Sequence, residues 1–146
     1  MAISRRKLRY AVPALLLIAT VIFLCTPRAM TKHPDTIEIN LVTVTQFVEH
    51  DRLESMDITD QIDLDALADL LSDVSSGRIP CKFAPYQMHE GDIDIHFHTE
   101  DPVVHHHLLL TAGDDPMYIL YNDSGFGGFN IRGGSDLRTA VDALLP

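Results

Sequence analysis

The chain has 146 residues, two cysteines and a formal charge of −10, which is enough length for one packed domain and too few cysteines for a disulfide framework. The charge is unevenly distributed: Arg5, Arg6, Lys7, Arg9 and Arg28 are five of the 11 basic residues, so six remain against all 21 acids after Met30 and that stretch carries −15. A field of that sign repels nucleic acid and anionic headgroups and argues against nucleic-acid binding.

The first predicted element is an almost unbroken apolar run of 16 residues, 10–25, directly behind the basic cluster. A buried core helix rarely carries such a flank with apolar residues on every face. The length falls between a signal-peptide core and a spanning helix. Signal cleavage requires small residues at −3 and −1, yet a cut after Ala29 puts Pro27 at −3, and cuts nearer Cys25 put Phe23 or Leu24 there. The expectation is an uncleaved signal-anchor, a transmembrane helix, with secretion after cleavage as the alternative. More basic residues precede the run than follow it, so the N-terminus is placed in the cytoplasm and the acidic part outside. Pro13 is read as lying in the first turn of the helix, where a missing N–H costs least. The bulk of Ile22, Phe23 and Leu24 before Cys25 argues against lipoprotein processing. The organisation that follows is a signal-anchor segment with its flank over residues 1–30, a polar linker over 31–35 and an extracytoplasmic domain over 36–146.

Ile37, Ile39 and Leu41 alternate with Glu38 and Asn40, the pattern of a strand with one buried face. Val42, Val44, Phe47 and Val48 continue it out of phase, which predicts a bulge or bend. A second strand is read over residues 53–58. Leu64, Leu67, Leu71 and Val74 then mark one face of a helix, with Asp63 as its N-cap and Gly77 as its terminator. A connection punctuated by Pro80 and Pro85 leads into a meander of short strands. Ile93, Ile95 and Phe97 alternate with Asp94, His96 and His98; a turn at Glu100 to Pro102 opens residues 103–111; a turn from Gly113 to Pro116 opens 117–121; and a glycine-rich loop over 122–128 returns through 129–132. A final helix is predicted with Ser135 as its cap and Leu137, Val141 and Leu144 on one face. The expected fold class is α+β: an antiparallel meander sheet with two helices packed on one face, preceded by the N-terminal helix.

The unusual chemistry is histidine. His96, His98, His105, His106 and His107 fall within twelve positions, and residues two apart on a strand share a face. With Phe97 paired to Val104, His96 would oppose His105, Asp94 would oppose His107 and His98 would oppose Val103. Opposed Cβ atoms lie about 4.5–5.5 Å apart, so His96, His98, His105, His107 and Asp94 form the candidate metal set, for zinc or copper. A one-residue slip would send half of them into the core. Solvated imidazoles mixed with carboxylates also need no ligand, and a pH-responsive surface is a further reading.

Other candidates have ordinary explanations. The Gly125 to Gly128 segment lacks the lysine and following helix of a phosphate loop. Asp57, Asp60, Asp63 and Asp65 lack the spacing and central glycine of a calcium loop. Cys81 reads as a small core residue, and Asn122-Asp123-Ser124 as a glycosylation sequon of meaning only in a eukaryotic secretory route. Ser124 as a nucleophile lacks the strand–turn–helix elbow. No cofactor signature is present. The leading expectation is a non-enzymatic, membrane-tethered module that binds a protein or ligand, its partners being the membrane, through the N-terminal helix, and another protein. The alternatives are a metal-binding module and a small hydrolase with dispersed catalytic residues.

Overall fold

The computed structural model describes residues 5–29, 37–48, 52–81, 87–100, 103–114, 116–122 and 128–146. Over the described residues the chain is α+β, with three α-helices and one antiparallel sheet of eight strands. Helix α1 (Arg5–Cys25) runs into β1 (Arg28–Ala29). Strands β2 (Ile37–Val48) and β3 (Arg52–Asp57) follow, then a 3-10 turn (Thr59–Gln61) and helix α2 (Leu64–Ser72). Strands β4 (Ser75–Cys81), β5 (Ile93–Glu100), β6 (Val103–Leu110), β7 (Tyr118–Asn122) and β8 (Gly128–Ile131) precede helix α3 (Gly134–Asp142). Across the sheet the order is β1-β4-β8-β7-β6-β5-β2-β3, so β5 to β8 form the anticipated meander.

One face of this sheet is the core. Val42 and Val44 of β2, Ile93, Ile95 and Phe97 of β5, Leu108 and Leu110 of β6, and Leu120 of β7 are buried together with Leu67 and Leu71 of α2 and Val141 of α3. Both C-terminal helices thus cover the same side. Full burial of each such side chain contributes about 1.5–3 kcal/mol, so the apolar stripe of α2 outweighs the mutual repulsion of the acids on its outer face. Asp63 caps α2 as expected, its carboxylate accepting from the Ala66 amide at 3.0 Å.

The phase change in β2 is a bulge. Ile39 pairs with Phe97 but Leu41 pairs with His96, so Asn40 is the extra residue, and the core face passes from Ile37 and Ile39 to Val42 and Val44. The backbone N–H of Val42, a residue fully buried, donates to Thr59 Oγ1 at 2.9 Å. That hydroxyl in turn donates to Asp57 Oδ1 at 2.6 Å, and the Thr59 amide reaches the same oxygen at 2.9 Å. The hydroxyl first and the amide second hold the Asp57 carboxyl below its usual range, against a smaller opposing effect of desolvation. Thr59→Val should therefore cost about 1–3 kcal/mol through the Val42 N–H left without an acceptor. Because the folded-state pKa of Asp57 is depressed, its own contribution is complete above the unfolded value of about 3.9 and is lost as pH falls through the folded one. The gap between wild type and variant in urea unfolding should thus be wider at pH 7 than at pH 3.

Four expectations are corrected. Gly77 does not end α2: Asp73 is the C-cap, and Gly77 and Pro80 lie within β4 instead of a connection. A proline is tolerated there because, among the described residues, β1 pairs with Ser75 and Ser76 alone and no strand flanks the Pro80 end of β4 on its outer side. Ser135 is inside α3, whose N-cap is Gly133 in the left-handed region at φ 65°, with no side-chain cap. Pro13 is interior to α1, because the helix begins at Arg5.

The fourth correction concerns the span. Among the described residues no helix is long and apolar enough to cross a membrane. The apolar stretch of α1, from Tyr10 to Cys25, rises only ~24 Å, against a hydrocarbon core of ~30 Å. It is nonetheless exposed along its whole length. Its C-terminal end is held by the sheet: Arg78 of β4 donates to the Thr26 carbonyl at 3.1 Å and lies 4.2 Å from the centre of the Phe23 ring, while Arg132 donates to the Cys25 carbonyl. Two cations thereby meet the negative end of the helix dipole. The linker at 31–35, Pro85, the Asp101–Pro102 tip and Ser124 with most of its glycine-rich loop lie outside the described residues, as does the Cys81 side chain.

Candidate metal centre

Strand β5 alternates without interruption: Ile93, Ile95 and Phe97 are buried, while Asp94, His96 and His98 are half-buried on the other face. That face is turned away from the main core cluster, and Leu109 and Ile119 are buried on it. The pairing with β6 differs from the expected register by two residues: Phe97 lies opposite His106, not Val104. The physical cause is that β5 runs on to Glu100, a residue expected in the turn, and pairs there with Val103. A shift by two preserves every residue's face. All four alternating imidazoles and Asp94 therefore stay on one side, but their partners change. His96 opposes His107 instead of His105, His98 opposes His105 instead of Val103, and Asp94 opposes Leu109. His106 faces the core, where it is buried and stacked on Phe97 at 5.0 Å.

The exchange of partners splits the predicted set in two. In the first group, Asp94, His96 and His107 each offer a ligand atom, and these atoms all lie within 4.8 Å of one another. Asp94 Oδ1 is 3.5 Å from His96 Nε2 and in direct contact with His107 Nε2. The His96 and His107 rings are stacked at 4.5 Å, 11° from parallel, and Tyr121 of β7 continues the stack at 5.0 Å from His107. In the second group, His98 and His105 face each other at 5.6 Å, with His98 Nε2 3.2 Å from Glu38 Oε2 of β2.

Does the first group suit a metal ion? Asp94 Oδ1 and His107 Nε2 are shielded from solvent and make no hydrogen bond, although they touch. Contact without hydrogen-bond alignment leaves both atoms with donor capacity toward a shared cation. For bonds of about 2.0–2.2 Å, tetrahedral geometry separates two ligand atoms by roughly 3.3–3.6 Å, which the 3.5 Å spacing of Asp94 and His96 matches, while the closer contact of Asp94 with His107 has to open to admit an ion. Two imidazoles and one carboxylate are a donor set used for zinc and for non-haem iron, with positions left open for water or another ligand. The side chains of Asp94, His96 and His107 are 30%, 45% and 36% exposed, so an ion has a direct path in. The −15 charge of the chain beyond Met30 favours its approach.

Sequence reasoning missed Tyr121, Glu38 and Asn40. The last places Oδ1 3.1 Å from His98 Nδ1. Glu38 and Asn40 were legible as the polar side of β2, but nothing local shows that β2 lies beside β5. A further concavity, about 270 Å³, lies between α2, α3 and the end of β8, lined by Leu70, Val74 and Leu137 with Asp73, Asp136 and Arg132 at its rim. No histidine or serine lines it.

Compared with known protein families, with curated proteins and with solved structures, the chain matches none of them.

Proposed function

We propose that this chain is a membrane-attached, outward-facing module that binds a transition-metal ion, zinc or copper, through Asp94, His96 and His107, and that it binds rather than catalyses. One observation carries the metal reading: three ligand atoms from two adjacent strands gather within 4.8 Å on the sheet face turned away from the main core cluster. A strand pair positions them more rigidly than loops would, because each Cβ direction is fixed by the ladder. A bound ion would supply Lewis acidity and charge at that point, while Tyr121 and the stacked rings hold the imidazoles in place.

A binding role, without chemistry on a substrate, is favoured by the lie of the site. It sits on the open sheet face, away from the α2/α3 cleft. The membrane part rests on α1. An exposed apolar helix behind four basic residues is costly in water and favours contact with a membrane. The basic flank keeps the N-terminus in the cytoplasm and leaves the acidic domain outside. Release after cleavage is the competing fate, and the intact mass of the mature chain decides between them.

Zinc added to the full chain in detergent should raise its melting temperature. At a hundred times the dissociation constant the stabilisation is about 2.7 kcal/mol, several degrees for a domain of this size. His96→Ala with His107→Ala should abolish the shift. An unchanged melting temperature in the wild type would overturn the metal reading. For attachment, the chain should float with membranes after alkaline washing, and recovery in the soluble fraction would overturn it.

A second reading, docking of a protein partner, draws on Phe47 and Val103. Both are exposed and share the face that bears the imidazoles. Crosslinking in membranes that yields a defined heteromeric product, lost in Phe47→Ser, would favour it over the metal site.

A further inference from the structure

The arginines that follow α1 are of two kinds. Arg52 and Arg138 are paired with carboxylates, those of Glu54 and Asp142. Arg28, Arg78 and Arg132 form no ion pair among the described residues, although the chain beyond Met30 carries −15. These three meet at one corner, the end of α1. Arg78 Nε donates to the Thr26 carbonyl at 3.1 Å, with its guanidinium carbon 4.2 Å from the centre of the Phe23 ring. Arg132 Nη2 donates to the neighbouring Cys25 carbonyl, and Arg28 follows Thr26 by two residues, exposed like Arg132. Helix capping engages one N–H of Arg78 and one of Arg132, and a guanidinium has five. The depth of this corner follows from α1. The apolar run ending at Cys25 rises ~24 Å, less than the ~30 Å of a hydrocarbon core. With that run immersed, its end cannot stand clear of the headgroups, and guanidiniums fastened to its last carbonyls are held at phosphate level.

We infer that Arg28, Arg78 and Arg132 clasp the phosphates of zwitterionic phospholipid around the end of α1, laying the β1–β4 edge of the sheet on the membrane surface. The inference rests on the membrane-attachment reading of α1. The planar fork of arginine matches phosphate oxygens two at a time. A zwitterionic headgroup fits better than a net anionic one, because the −15 field opposes an anionic surface as a whole. Asp73 and Asp136, which border the α2/α3 cleft together with Arg132, suit the ammonium end of the same headgroup. The contact also sets where the metal site stands. Strands β6 and β5 are three and four places from β4 in the sheet, on the order of 14–19 Å away at the usual strand spacing, so the imidazole face stays in water.

The chain has no tryptophan, so Ile79→Trp, at an exposed position beside Arg78, places a single indole at this corner. The full chain carrying it is reconstituted into phosphatidylcholine vesicles and, separately, into digalactosyldiacylglycerol vesicles, each with acyl chains brominated near the headgroup. Indole quenching and flotation are measured together. Quenching is expected in phosphatidylcholine, with most of it lost in the galactolipid, which has no phosphate, while flotation is equal in both. Arg28→Gln together with Arg132→Gln, which leaves the Arg78 bond to Thr26 in place, should weaken the quenching in phosphatidylcholine. Flotation with equal quenching in the two lipids, with no quenching in either, or with quenching unaffected by the two glutamines would overturn the clasp and spare the attachment. Failure to float in either lipid would overturn both.

Discussion

Gly134→Ala should destabilise the chain by about 3 kcal/mol or more, the upper range for forcing extra volume into a packed site. A Cβ at Gly134 would stand 2.4 Å from Cγ and Cδ2 of the Tyr118 ring and 2.5 Å from its Cβ. The last of these leaves no escape by rotamer change, since Tyr118 Cβ is fixed by the first ladder position of β7, opposite Leu110. Helix α3 would have to lift away from β7, withdrawing the fully buried Val141 from the core. Helix propensity alone points the other way, because alanine is better than glycine by about 1 kcal/mol inside a helix. The two arguments thus predict opposite signs, and urea unfolding reads the answer directly: a variant as stable as wild type would show that α3 does not approach β7 so closely. Gly133→Ala, by contrast, meets no side chain nearer than 3.9 Å and should lose only the ~1 kcal/mol or so of a left-handed alanine.

How much of this was legible follows from where each determinant lies. The faces of β5 and β6 were readable because Ile93, Ile95 and Phe97 alternate strictly and a buried face tolerates no odd slip. The partner of each imidazole was not, since an even slip leaves the pattern intact and only the position of the turn distinguishes the two registers. The bulge in β2 was readable as a change of phase. Its consequence for His98 was not, because β2 and β5 are brought together across more than forty residues of intervening chain.

Strand β4 was hidden by its own punctuation. Gly77 and Pro80 are breakers in an isolated segment, and become acceptable where a short β1 covers only one end of the strand. The cap of α3 was misread for a related reason: Ser135 has the right chemistry, but the need for a flat approach to Tyr118 placed glycine at the helix start and moved the cap back to Gly133. In each case a local propensity was overruled by a neighbour that only the folded chain supplies.

Arg138→Met should cost about 3 kcal/mol or more and should loosen the corner from which β5 departs toward Asp94. The Arg138 side chain is only 15% exposed, and its guanidinium makes three attachments. Its Nε donates to both carboxylate oxygens of Asp142, at 2.9 and 3.0 Å, Nη1 donates to the Leu110 carbonyl at 2.7 Å, and Nη2 donates to the Gly91 carbonyl at 2.7 Å. The Asp142 pair is half open to water and contributes about 0.3–0.5 kcal/mol, the value for exposed i,i+4 pairs. The two carbonyls matter more, since each part-buried acceptor left without a donor costs about 1–3 kcal/mol. Methionine keeps the apolar stem, so the loss isolates the hydrogen bonds. Lysine cannot reproduce the fork and should recover less than half of it. The same corner is braced from the other side by Asp92, buried at 2% exposure, whose carboxylate accepts from the His89 and Ala112 amides at 2.5 and 2.7 Å. Because Arg138 and Asp92 both fasten the Gly91–Asp92 backbone, their effects should not add. Once Asp92→Ala has freed that backbone, Arg138→Met should cost less than it does alone, by about 1 kcal/mol on the scale of coupled neighbours. Strict additivity in the double-mutant cycle would mean that the two braces act on separate parts of the fold, and amide exchange at Ile93 and Leu110 would then rise in one variant but not the other.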